Sequence, residues 1–146
     1  MRRVLALVAS LCLAAVLTAS ALAGDGRLSF TTGNFVVTCT STGQFCKPAK
    51  LLELTLPRPG TMTRVIYTSP KTHCSAVRVF VLRGRRTVAK LPRLEAGEAT
   101  ARVTTSVRLK KGTTTLRFRA KGFTGGCNTG YVGSWGGKVT VKVRLD

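Results

Sequence analysis

Apolar residues recur at every second position along most of this chain, and at helical spacing almost nowhere. From residue 24 onward no stretch keeps an i, i+3, i+4 apolar pattern for more than about a turn, whereas period-two alternation returns from end to end. The pattern predicts strands over 28–32, 35–40, 50–56, 63–68, 76–82, 86–91, 100–109, 113–121 and 138–145. Pro57, Pro59, Pro70 and Pro92 fall between these segments, where a missing N–H interrupts no ladder. The domain is therefore expected to be all-β. Short strands parted by turns of this kind predict a two-sheet β-sandwich, jelly-roll or immunoglobulin-like, rather than one open sheet.

Alternation also assigns faces. In "ARVTTSVRLKKGTTTLRFRAKG" a two-residue turn at Lys111-Gly112 would make a hairpin that sets Val107 against Leu116, Thr105 against Phe118 and Val103 against Ala120 on a core face. Arg102, Arg108, Lys110, Arg117, Arg119 and Lys121 would then share the opposite face, with Arg102 directly across from Lys121. In "KVTVKVRLD" the apolar set is Val139, Val141, Val143 and Leu145, which leaves Lys138, Lys142 and Arg144 outward. The expected exposed face is strongly basic.

The beginning of the chain carries a different signal. Arg2 and Arg3 precede an apolar run over 4–17, and Ala21-Leu22-Ala23 supplies a small-residue cleavage pattern, so residues 1–23 are expected to be a secretory signal peptide. The mature domain would span residues 24–146, with no second apolar segment long enough to cross a membrane, in a secreted or periplasmic location. The whole chain has 24 Lys and Arg against five Asp and Glu. Loss of Arg2 and Arg3 still leaves a mature charge of +17.

Cysteine use agrees with export. Cys12 departs with the leader, and the remaining four read as disulfides in an oxidising compartment rather than as metal ligands. The expected pairs are Cys39–Cys46, across "TSTGQF", and Cys74–Cys127. Loop-closure arithmetic assigns them about 2.5 and about 4 kcal/mol respectively.

The residue inventory argues against catalysis, metal binding and any cofactor. One histidine and five carboxylic acids are thinly spread, with Glu53 outward on its strand and Glu95 and Glu98 in one turn; neither a facing carboxylate pair nor a converging calcium shell is expected. His73, beside Cys74 and Ser75, has no evident acid to orient it as a base. The glycine-rich stretch 122–137 lacks P-loop spacing, because Val132 and Val139 stand where glycine and a hydroxyl residue are needed, and it leads into a strand. It reads first as a stapled corner. As an alternative, His73, Asn128, Tyr131 and Trp135 could form a carbohydrate- or protein-binding loop site.

Like charges opposed across strands cost about 0.2–1 kcal/mol per pair, and an anionic partner would offset that cost. The expected function is a non-catalytic binding module for an anionic polysaccharide, lipopolysaccharide or other envelope polyanion, held by Arg102, Arg108, Arg117, Arg119, Lys121, Lys142 and Arg144. No dedicated nucleic-acid site is expected, because Phe118 points into the core and the basic hairpin then lacks a stacking ring.

Overall fold

The computed structural model describes residues 26–70, 73–126 and 133–146. The expected signal peptide, and Cys127, Asn128 and Tyr131, lie outside the described residues. Among the described residues nine strands form: β1 (Arg27–Thr31), β2 (Phe35–Thr38), β3 (Lys50–Leu56), β4 (Gly60–Thr68), β5 (Val77–Arg83), β6 (Arg86–Lys90), β7 (Thr100–Leu109), β8 (Gly112–Gly122) and β9 (Ser134–Leu145). Each predicted segment is a strand, with ends moved by a few residues.

The pairing defines the topology. β5 pairs with β6, β4 with β7, β3 with β8 and β1 with β9, all antiparallel. The partners nest about the β5–β6 turn like one long hairpin, and two further antiparallel pairings, β4 with β9 and β5 with β8, roll that hairpin into two layers. Sheet I has the order β1-β9-β4-β7, with β2 also pairing with β9, and sheet II has the order β3-β8-β5-β6. This is a jelly roll, and of the two expected topologies the pairing selects it. The innermost turn is tight: Arg83 faces Arg86, and Gly84 alone between them has positive φ, 60°, the type II′ pattern that suits a twisted hairpin.

The β7–β8 hairpin does not form. β7 pairs with β4 in sheet I and β8 pairs with β3 and β5 in sheet II, so the chain changes layers at Lys110-Lys111. Arg102 stands opposite Ile66, and Lys121 opposite Arg78. The face assignment nevertheless holds within each strand, since Leu116, Phe118 and Ala120 are buried from one layer and Ala101 and Leu109 from the other. Periodicity sets which way a side chain points, and two strands of opposite layers can both point inward at one core.

That core is filled by Leu54 and Leu56 of β3, Val77, Val79 and Val81 of β5, Met62, Val65 and Tyr67 of β4, and Val139, Val141 and Val143 of β9. Full burial of each large aliphatic side chain is worth about 1.5–3 kcal/mol. β4 buries both Met62 and Val65, an odd separation that regular alternation forbids. A register irregularity between Met62 and Arg64 makes it possible and turns Arg64 to solvent. The expected Cys39–Cys46 disulfide is present and buried at the edge of the core. It closes the loop that carries Phe45. Cys74 is also disulfide-bonded, while its expected partner Cys127 falls outside the described residues.

Candidate functional site

The layer change at β7–β8 divides the expected basic face in two. Arg102, Arg108, Lys142 and Arg144 lie on the outer face of sheet I, and Arg117, Arg119 and Lys121 lie on the outer face of sheet II. The two groups are on opposite sides of the sandwich. They differ in what surrounds them.

On sheet I, alternate residues of three neighbouring strands converge. Arg27 of β1 faces Arg144 of β9, and one step along the strands Arg64 of β4 faces Lys142 of β9. Both are directly opposed like-charge pairs, costing about 0.2–1 kcal/mol each. All four side chains line a depression of about 530 Å³ together with the hydroxyl-bearing Ser29, Thr63 and Thr104. No carboxylate among the described residues lines it. Arg102 and Lys138 extend the same face, and Arg108 at its margin meets Asp146 at 3.0 Å. That ion pair is largely solvated and is worth at most about 1 kcal/mol. None of Arg27, Arg64, Lys142 or Arg144 is in an ion pair or a cation–π contact among the described residues.

On sheet II Arg119 and Lys121 are offset from within. The Arg119 guanidinium lies 3.8 Å from the centroid of Phe45, and Lys121 Nζ lies 4.6 Å from the same ring. Phe45 meets Phe80 edge to face with centroids 5.3 Å apart, and Lys121 and Lys90 flank Phe80. Further along, Phe123 receives Arg93 at 4.6 Å and Arg78 at 5.9 Å. A cation over a ring gains about 0.5–1 kcal/mol at exposed sites, comparable to the repulsion between neighbouring cations. The expectation that this face lacks aromatic rings is corrected: Phe118 is indeed buried, but Phe45, Phe80 and Phe123 come from other segments.

The alternative loop site loses its central contact. Trp135 is 2% exposed and donates Nε1–H to the Ser75 carbonyl at 3.0 Å, so it packs as a corner residue and is out of a surface ligand's reach. His73 is equally committed, with Nδ1 3.0 Å from the Ser75 carbonyl and Nε2 2.6 Å from that of Glu98. Both ring nitrogens are directed at backbone carbonyls, and neither is aimed at a nucleophile. Past Trp135 the chain is held by Tyr67, whose hydroxyl donates to the Gly136 carbonyl at 2.7 Å. At Gly137, with φ 138°, a Cβ would overlap the Thr68 carbonyl and approach the Tyr67 ring to 3.0 Å. Burial pushes the Tyr67 phenol above its ordinary value, and the Ser69 hydroxyl opposes this only in part.

No known family matches this sequence, and no curated protein does. Among solved structures, the chain is similar to a Podospora anserina GH26-CBM35 β-(1,4)-mannanase, at TM-score 0.48 and 13% identity over 84% of this chain and 29% of that one. It thus spans less than a third of that protein's length. It is also similar to the CBM36-1 domain of a multidomain xylanase from the hindgut metagenome of Trinervitermes trinervoides, at TM-score 0.39 and 13% identity over 78% and 98% of the two chains. A third likeness is to a family 35 carbohydrate binding module from Clostridium thermocellum, at TM-score 0.38 and 12% identity over 77% and 90%. At these scores the ligand question rests on the site itself.

Two of the four cations around the sheet I depression, Arg27 and Arg64, were not singled out from the sequence. Arg64 was legible, since Val65 and Tyr67 inward imply Arg64 outward. Its convergence with Lys142 was not, because nothing local says that β4 lies beside β9.

Proposed function

We propose that this protein is an exported, non-catalytic module that binds an anionic extracellular polymer across the outer face of sheet I. The observation that carries the reading is the depression in which two directly opposed like-charge pairs, Arg27 with Arg144 and Arg64 with Lys142, stand without a carboxylate or a ring among the described residues to offset them. Folding tolerates this arrangement at a cost, and a polymer bearing carboxylate, sulfate or phosphate groups reverses it through charge-assisted hydrogen bonds. The hydroxyls of Ser29, Thr63 and Thr104 suit the neutral hydroxyls of a polysaccharide chain. Anionic polysaccharide is the ligand class, with lipopolysaccharide among the polymers to test. The buried Cys39–Cys46 disulfide fits the oxidising compartment in which such a polymer is met.

The test compares two double reversals with the same change in net charge. Arg64→Glu with Lys142→Glu strikes the depression, while Arg85→Glu with Arg86→Glu strikes the exposed β5–β6 turn. Affinity for a sulfated or uronate-rich polysaccharide is measured at low and physiological salt. At about 1 kcal/mol per lost contact under water-like screening, the first pair weakens binding by about thirtyfold or more. The second changes it little. Equal losses mean that total charge, not this depression, governs binding.

A further inference from the structure

The outer face of sheet II combines two things that the outer face of sheet I lacks among the described residues: rings, and cations packed against rings. Phe45 is carried there by the loop that the Cys39–Cys46 disulfide closes, and its backbone bridges to Lys121 at the end of β8. The Arg119 guanidinium lies against Phe45, and Lys121 reaches both Phe45 and Phe80. Phe45, Phe80 and Arg119 are each partly exposed. Exposed Arg117 continues the cationic row on β8 toward the 53%-exposed Leu51 opposite it on β3.

A guanidinium that sits over a ring keeps its outward side and its N–H edge available. That side stacks on a further planar group and the edge donates to an anion. Planar groups tethered to anions at short intervals are the chemistry of an unpaired polynucleotide, whose bases stack on aromatic rings and arginine planes while cations follow its phosphates. Duplex nucleic acid hides its base faces and cannot use such a surface. An anionic polysaccharide has no planar π-face to offer.

We infer that the outer face of sheet II is a second site, a stacking platform for single-stranded nucleic acid in which Arg119 on Phe45 holds one base and Arg117 and Lys121 take the flanking phosphates. It stands independently of the polymer site on sheet I, which is on the other side of the sandwich.

The experiment uses oligo(dT) and an abasic oligonucleotide of equal length, so that the phosphates match and only the bases differ. Binding is measured at two salt concentrations, with 2-aminopurine reporting stacking. The expected result is that oligo(dT) binds more tightly than the abasic chain by about 5- to 150-fold, the range for one stacked base, and that the preference persists at high salt. Arg119→Lys keeps the charge and removes the plane, so it should abolish most of that preference while the abasic chain binds as before. This substitution is at a partly exposed position and leaves the core intact. Phe45→Leu, checked for an unchanged fold by circular dichroism, should act in the same direction. Equal affinity for the two oligonucleotides overturns the inference, as does a base preference that survives Arg119→Lys. Arg64→Glu with Lys142→Glu serves as the control: it disables the sheet I site and should leave the base preference in place.

Discussion

Replacement of Trp135 by Ala tests whether the glycine-rich corner is structure or site. The indole is 2% exposed and belongs to the central cluster, so its truncation removes a large buried ring and leaves a cavity. Such substitutions cost about 3–5 kcal/mol. The lost hydrogen bond adds little, because the Ser75 carbonyl still faces His73 Nδ1 at 3.0 Å and is not orphaned. Against the roughly 5–15 kcal/mol that holds a domain of this kind folded, the loss is a third or more in most of that range. For a domain of about this size it should lower the melting temperature by about 10–20 °C. Thermal and urea unfolding followed by circular dichroism give the two readings, and the urea midpoint should move without a change in slope. Trp135→Phe keeps a ring and should lose less than half as much. A fall of less than about 2 °C in Trp135→Ala would place the indole outside the core and reopen the loop as a binding surface.

Three other outcomes follow from the same geometry. Stability should fall as pH rises above about 10, by up to about 1.4 kcal/mol per unit, because unfolding frees the Tyr67 phenol to ionise while the folded state holds it neutral; Tyr67→Phe should lack this component in urea melts at pH 8 and pH 11. Gly137→Ala should destabilise by about 1–3 kcal/mol from backbone strain alone, with the Thr68 carbonyl in the way of the new methyl, and a melting temperature equal to the parent's would refute it. Non-reducing peptide mapping should recover Cys39 joined to Cys46 and Cys74 joined to Cys127, and a Cys39–Cys127 peptide would refute the pairing.

The strands were legible and their partners were not. Alternation placed all nine segments and the inward residues of β7, β8 and β9, because side-chain direction along a strand is a local property. Partnership is non-local. The turn-like Lys111-Gly112 invited a hairpin, since consecutive strands usually neighbour one another, but in nested pairing only β5 and β6 meet their chain neighbour across a tight turn. The sites suffered accordingly. Lys142 and Arg144 were found from β9 alone, whereas their opposition to Arg64 and Arg27 needed the sheet order. Phe45 gave less warning still, because a ring in an irregular loop carries no periodicity to say that it will lie over Arg119, 74 positions later in the chain.

The nested pairing also orders assembly in time. β9 is synthesised after the other eight strands, yet it occupies the interior of sheet I, between β1 and β4. Until it emerges, β1 lacks the strand it pairs with and β4 lacks one of its two neighbours. A hairpin of β5 and β6 can close early, but loop-closure entropy must be met before the outer pairs form, which makes such topologies slow, on the scale of milliseconds to seconds. Sheet II contains no part of β9 and can pair without it, so the last strand of the chain is the piece that completes sheet I and closes the second layer over the core.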